Sequence, residues 1–372
     1  MNRYRCEVAT RTDDDELRRM LAETPMPGHV SVSFRREPSF FEAAVVNGGF
    51  HQTMIIRDCE EARIACLGSR SVRDRYVNGQ PMAIGYLSSL RLLPQYRGSG
   101  LLARGYRFFR RLHGDERTRL YLTTIAEGNV TALSVLTSGR GGLPRYHFAG
   151  MYHTVAIPLV RGKHRLNGAQ QAVEIREATA ADLPGLLRFL QTAGPTRQFF
   201  PQYEADDFFH PQGTFRDLEP LDLLLAFRES RLVGTLARWD QSRFRQAVVE
   251  RYATHLHWTR PVYNCWASLR GLPKLPKPGE CFRFLTAALP LVLHDDPQVF
   301  TALLRALIER TAPVFCQYLL IGMHESDPLL PAVKMYQSTS YLTRLYHVCW
   351  EDGESLRTKL DTRPPYLELG CL

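Results

Sequence analysis

The chain has 372 residues, 44% of them hydrophobic and 23% charged, with a formal net charge of +9. That length calls for two domains, and that balance for a soluble globular protein whose field would suit an anionic ligand. The basic residues are mostly arginine and scattered, which excludes a nucleic-acid tail. No apolar run reaches the roughly 18 to 20 residues of a bilayer span, and the charged opening Met1-Asn2-Arg3-Tyr4-Arg5 is no signal peptide. The eight cysteines form no CxxC pair and read as reduced, mostly core residues of a cytoplasmic protein without a metal site.

In chain order, Tyr4–Thr10 reads as a strand, and Asp13-Asp14-Asp15 opens a helix over Glu16–Ala22 with acids in its first turn. Pro38–Val46 reads as a second helix. His51–Arg57, Arg63–Tyr76 and Met82–Leu93 read as strands, the last two a long hairpin about Asn78-Gly79. Leu101–Leu112 is an amphipathic helix, Leu120–Ile125 a strand, Val130–Thr137 a helix and Tyr146–Leu159 a strand. Val160–Gln171 reads as a linker. The order then repeats: strand Val173–Ala178, helix Leu183–Gln191, hairpin Leu221–Arg228 with Arg231–Trp239, strand Phe282–Leu293, helix Pro297–Arg310, strand Phe315–Met323, helix Leu329–Gln337 and strand Ser340–Trp350. The repeat unit has domain size. One insertion, about Gln241–Glu280, interrupts it. That insertion reads as a packing element between the domains, with a substrate lid or a homodimer contact as alternatives.

The most telling stretch is Leu90-Arg91-Leu92-Leu93-Pro94-Gln95-Tyr96-Arg97-Gly98-Ser99-Gly100-Leu101. A strand runs into a glycine turn and then into a helix, so backbone N–H groups and a helix N-terminus converge on one anion-sized spot. Gly98–Ala103 also satisfies G-x-G-x-x-G/A. A dinucleotide site is disfavoured, because the turn follows an antiparallel region and no suitably placed acid ends the next strand about 20 residues on.

The element order, with Gln95, Gly98 and Gly100 matching a Q/R-x-x-G-x-G/A loop, resembles the GNAT superfamily of acyl-CoA-dependent N-acetyltransferases. The resemblance implies an α+β (mixed α/β) architecture of two tandem GNAT-like domains, 1–162 and 172–372. Each would hold a mostly antiparallel sheet flanked by helices, and the first would have splayed fourth and fifth strands. It implies that acetyl-CoA binds the first domain. The amides of Arg97, Gly98, Ser99, Gly100 and Leu101, with Gln95 in the same loop, would take the pyrophosphate. The edge Leu90, Arg91, Leu92 and the side chain of Asn129 would take pantetheine, and an amide near Leu92 would polarise the thioester carbonyl.

The family's late tyrosine, a proton donor to the leaving thiolate, is Leu136 here; Tyr121, Tyr146 and Tyr86 are substitutes. Glu127, then Glu42, are the first choices for base, ahead of His51 and His147. In the second half the matching stretch, Leu291-Val292-Leu293-His294-Asp295-Asp296-Pro297, has no glycine and two acids, which suits no pyrophosphate. That half reads as a degenerate copy that helps to shape the acceptor pocket. The expected reaction is direct transfer of an acetyl group from acetyl-CoA to a primary amine of a small molecule or peptide, with no nucleic acid or membrane involved. The alternative is a non-catalytic acyl-CoA sensor or scaffold.

Overall fold

The structure is a computed structural model that describes residues 3–160, 173–311, 316–336 and 338–372. The linker expected over 160–171 lies, from 161 onward, outside the described residues. The first half comprises β1 (Tyr4–Val8), α1 (Asp14–Glu23), β2 (Val30–Arg35), α2 (Phe40–Ala43), β3 (Phe50–Asp58), β4 (Arg63–Val77), β5 (Gln80–Leu92), α3 (Leu101–His113), β6 (Tyr121–Ala126), α4 (Val130–Leu136) and β7 (Arg145–Pro158). The second comprises β8 (Glu174–Glu177), α5 (Leu183–Ala193), β9 (Leu223–Arg228), β10 (Arg231–Trp239), β11 (Gln246–Tyr252), α6 (Thr254–Arg270), β12 (Phe284–Val292), α7 (Pro297–Arg310), β13 (Tyr318–His324), α8 (Leu330–Lys334), β14 (Thr339–Cys349) and α9 (Glu354–Arg357).

Local chemistry accounts for most of these bounds. Asn78 and Gly79 both take positive φ, so the β4–β5 hairpin turns with the twist its strands require. Thr10 and Thr179 open the two halves' first helical segments with the same capping box, closed by Asp13 and Asp182. The helix expected over Pro38–Val46 is only α2 followed by a 3-10 turn, Val45–Asn47, stopped by Gly48 at φ 116°. Strand β2 had no counterpart in the sequence reading. The insertion resolves into strand β11 and helix α6. Of the cysteines, Cys66, Cys349 and Cys371 are buried, whereas Cys59, Cys265 and Cys281 are exposed, so a core role does not extend to all eight.

One 12-stranded sheet runs through the molecule in the order β1-β3-β4-β5-β6-β14-β7-β13-β12-β10-β9-β8, and β11 pairs with β2 in a separate two-stranded sheet. The centre of the large sheet is an exchange. The first half's β6 pairs with β14 of the second, and the second half's β13 pairs with β7 of the first. The two visiting strands pair with each other, antiparallel, from Thr339 opposite Ala156 to Cys349 opposite Arg145. A junction core assembled from both halves, including Tyr86, Leu122, Tyr152, Phe199, Leu345 and Leu367, packs there. Helices α1 and α3 close over the first half's core, and α7 and α8 over the second's.

The C-terminal segment enters the second half. Glu368, 2% exposed, accepts a hydrogen bond from the Leu289 amide at 3.0 Å and one from the Tyr366 hydroxyl at 2.6 Å. Gly370 lies flat on Trp239, where an added Cβ would stand 2.4 Å from the ring.

Two outcomes follow. Residues 1–160 expressed alone would carry unpaired edges on β6 and β7. They should aggregate on size-exclusion chromatography and be recovered by co-expression with 173–372; a monodisperse first piece would contradict the shared sheet. Burial raises the Glu368 carboxyl above its ordinary pKa. Such a group holds its proton more tightly folded than unfolded, so its stabilising contribution is lost as pH climbs from about 4.3 through the raised value. The Tm of Glu368→Gln should therefore fall less than wild type over that rise, and parallel Tm–pH curves would show the carboxyl is not perturbed.

Candidate functional site

The glycine turn is built on a buried anchor. Leu93 turns inward, its amide on the Ala65 carbonyl at 3.1 Å, and Pro94–Tyr96 form a 3-10 turn. The Tyr96 hydroxyl donates to Asp58 at 3.0 Å, and Asp58 is bridged in turn by Arg3 at 2.8 Å. From that anchor Arg97, Gly98, Ser99 and Gly100 project into solvent. Gly98 and Gly100 sit at φ 78° and 76°, and an added Cβ at either would meet nothing within 4 Å. The left-handed backbone, not crowding, is what demands glycine here. Among the described residues the amides of Gly98, Gly100, Leu101, Leu102 and Ala103 donate to no backbone oxygen. They stand at the N-terminus of the 13-residue α3, whose first turn carries no acid. The turn Gly139–Gly142 packs alongside, with Gly141 against Ala103.

Next to this cradle the sheet opens. β5 and β6 are parallel and paired only at Gly85 with Tyr121 and Tyr86 with Leu122. Gly85 is required at the closed end, because a Cβ there would stand 2.1 Å from the Tyr121 ring. One residue on, the Thr123 hydroxyl takes the Leu87 carbonyl at 2.8 Å, and the Tyr86 hydroxyl meets Thr124 at 2.9 Å. Beyond that point the strands part. The cause lies in β5: Ser88 faces Ser69 and Arg91 faces Leu67, so one extra residue is accommodated between them, with Ser89 at φ 55°. Such a bulge bends the strand away from its neighbour. With Leu93 bonded toward β4, the alternation of the ladder turns the backbone of Leu92 and Leu90 to the open side.

The second half repeats this opening and fills it. In β12, Ala288 faces Ala237 and Leu291 faces Thr235, with Leu289 at φ 53°. Leu289 thus matches Ser89, and its amide is the one that holds Glu368. The helix start is filled too. Asp296 caps α7 with its own carboxylate, accepting from the amides of Gln298 at 2.9 Å and Val299 at 3.3 Å. Asp295 is ion-paired to the buried Arg197.

Of the residues singled out in the sequence, Leu90, Arg91 and Leu92 end β5, Gln95, Arg97, Gly98, Ser99 and Gly100 form the exposed turn, and Leu101 opens α3 with its side chain buried in the core. Asn129 stands across the slot, where its side-chain oxygen caps α4 on Ala132 at 3.1 Å and its NH2 group has no partner among the described residues. Glu127 follows β6 at the wide end, half-exposed, with Arg344 at 3.5 Å. Glu42 lies on α2, bound to Arg216 at 3.5 Å. Tyr121 is at the closed end, its hydroxyl tied to His113 at 3.0 Å. Leu136 is buried, and the Tyr146 hydroxyl pairs with Tyr106 at 2.6 Å. Burial, with Arg36 and Arg245 adding to it, pushes His51 down to about 3, so it is neutral near pH 7. His147 bonds Glu354 at 2.9 Å; with Cys349 they could hold a metal, but Glu354 also engages Arg145 and Arg357, which compete for its oxygens. The sequence reading missed Ser89, because neither residue of Ser88-Ser89 is the glycine that usually signals a bulge.

No family model matches the sequence, and no curated protein matches it. Solved structures do. A GCN5-related N-acetyltransferase from Sphaerobacter thermophilus is 11% identical, with a TM-score of 0.57 over 100% of this chain and 99% of that one. N-myristoyltransferase of Saccharomyces cerevisiae, solved with bound myristoyl-CoA, is 10% identical, with a TM-score of 0.56 over 94% of this chain and 83% of that one. A GCN5-related N-acetyltransferase from Anabaena variabilis gives 11% identity and a TM-score of 0.52, over 93% of this chain and 72% of that one. Across essentially its whole length, the chain shares the fold of these N-acetyltransferase and N-myristoyltransferase structures.

Proposed function

We propose that the protein is an N-acyltransferase that uses acetyl-CoA and a primary amine, with the first half carrying the chemistry. One observation carries the reading: an open slot between β5 and β6 leads to a glycine turn whose free amides meet at a helix N-terminus. The CoA pyrophosphate would accept from the amides of Gly98, Gly100 and Leu101, not from those of Arg97 and Ser99, which the sequence also offered but which donate to the Pro94 and Tyr96 carbonyls at 3.2 and 3.3 Å. The pantetheine arm would lie along Leu90 and Leu92, and the Asn129 NH2 would reach it from the other wall. The S. cerevisiae neighbour, with its bound acyl-CoA, supports a CoA thioester as co-substrate.

The second half suggests where the acyl carbonyl goes. Its bulge amide, on Leu289, donates to a carboxylate oxygen at 3.0 Å. The matching Ser89 amide would donate to the thioester carbonyl and to the oxyanion that replaces it. The amine nitrogen attacks the carbonyl carbon, a C–N bond forms, the C–S bond breaks and CoA leaves as thiolate. The surplus ammonium proton passes to Glu127 or to water at the wide end, and the thiolate takes a proton from solvent. Glu42 and Tyr121 serve the framework in this reading, through Arg216 and His113. The second half, its bulge and helix start both occupied by its own carboxylates, is a degenerate copy.

Buried Leu136 in place of a phenol favours a second reading, an acyl-CoA sensor without turnover. Release of free thiol with a panel of amines decides between them.

Gly100→Glu would set a carboxylate in the cradle and should abolish acetyl-CoA binding in calorimetry, whereas Gly100→Ala should cost only the roughly 1 kcal/mol of a left-handed alanine. Unchanged affinity in Gly100→Glu would remove the loop from the site. Asp295→Asn with Asp296→Asn should leave acetyl-CoA affinity unchanged, and a marked change would move the site to the other half.

A further inference from the structure

Three arginines meet at the bulged end of the slot. Arg36 directly follows β2 and Arg245 directly precedes β11. The β2–β11 register sets Arg35 opposite Gln246, so the next position along sets Arg36 opposite Arg245. Like charges facing across strands are unfavourable. Arg36 donates to the Ser89 hydroxyl at 2.9 Å and lies over the Phe40 ring, 4.5 Å from its centre. Arg91, two residues beyond the bulge, donates to the Leu90 carbonyl at 2.9 Å. Arg245 donates to Asn47 and to the backbone oxygens of Gly370 at 2.8 Å and Leu372 at 3.0 Å.

No acidic side chain offsets the group, although Arg245 binds an oxygen of Leu372, the last residue of the sequence. No Asp or Glu side chain lies within ion-pair distance of these three among the described residues. Nearby acids are committed elsewhere: Glu37 to Arg18, Glu250 to Arg35, Glu42 to Arg216. Of the other buried arginines, Arg70, Arg73 and Arg197 each meet an Asp, whereas Arg75 meets none among the described residues and donates to the Phe199 carbonyl at 3.0 Å. Arg36 is 8% exposed, yet its Nη1 has no partner, and neither have Arg91 Nε, Arg245 Nε or Ser88 Oγ. Burial, with Arg245 and Arg91 adding repulsion, draws Arg36 down to about 9. A buried cation without a partner is costly. A fold can hold several when a ligand supplies the opposite charge.

We propose that Arg36, Arg91 and Arg245 bind a carboxylate on the acceptor, so that the acceptor is an α-amino acid or a similarly short amino acid. This rests on the acyltransferase reading above and names its substrate class. The distance argument is simple: the group abuts the bulge where the acyl carbonyl would sit, so the anion must lie within a few bonds of the attacking nitrogen. The same cations disfavour the ammonium form of that nitrogen, which must shed a proton to attack. The arrangement therefore selects the acceptor and readies it, with no acid side chain within ion-pair reach of the arginines.

The test compares L-amino acids with their amides, which keep the amine and lose the carboxylate, using acetyl-CoA and full-length protein. Acids should exceed amides in kcat/KM by about tenfold or more, as loss of a charge-assisted hydrogen bond implies. Arg36→Met should erase that ratio through KM without moving the Kd for acetyl-CoA, and Arg36→Lys should restore part of it. Equal rates for acids and amides, or selectivity surviving in Arg36→Met, would overturn the proposal. So would a preference for succinyl-CoA over acetyl-CoA that Arg36→Met abolishes, since the anion would then belong to the acyl chain. A CoA-free arm separates this from failure of the acyltransferase reading. N-acetylglycine, but not N-acetylglycinamide, should raise the Tm of wild type and not of Arg36→Met, whose own Tm should lie above wild type. A lower Tm in Arg36→Met, or equal shifts from both probes, would mean the arginine is merely structural.

Discussion

The antiparallel pairing of β7 with β14 is the contact on which the rest of the molecule depends. Without β14, β6 would present a bare edge at the wall of the slot, and without β7, β13 would do the same in the other half. An unpaired edge in mid-sheet leaves a row of backbone groups without partners, which is costly in a packed interior. By trading last strands, the halves satisfy both edges at once and bury the junction core between them. The slot is therefore held open by neighbours on both sides, β4 behind β5 and β14 behind β6.

The two halves make the same opening by the same device, an extra residue at Ser89 and at Leu289. What differs is what the chain does with it. In the second half the tail folds back and lays Glu368 on the bulge amide, while Asp296 satisfies the first turn of α7. In the first half the bulge opens onto the slot, and the helix start is left to glycines. Hydrogen-bond satisfaction thus distinguishes the two helix starts: one is capped by its own carboxylate, and the other keeps amides that donate to no backbone oxygen among the described residues.

What could be read from the sequence follows from how local each cause is. The β4–β5 hairpin, the cradle and the repeated order of elements rest on neighbouring residues: Asn78-Gly79, Gly98 and Gly100, Thr10 and Thr179 with their acids. The cradle residues could be named because glycines at positive φ leave a mark in sequence. Strand exchange leaves none, since an alternating strand does not announce its partner. β2 and β11 are short, and their pairing spans more than two hundred positions. Arg36, beside Arg35 and Glu37, looks like part of a solvated surface stretch; only the fold turns it inward. Glu368 likewise looks like an ordinary acid near a chain end. The chemistry least visible in sequence is the part that depends on contacts between halves.

The pairing of β2 with β11 carries a last consequence. β11 belongs to the half whose own opening is plugged, yet it delivers Arg245 to the mouth of the other. The half with the occupied opening therefore supplies part of a wall that lies in the other. The plugged half is thereby tied to the geometry of the open one, so that neither can shift without the other.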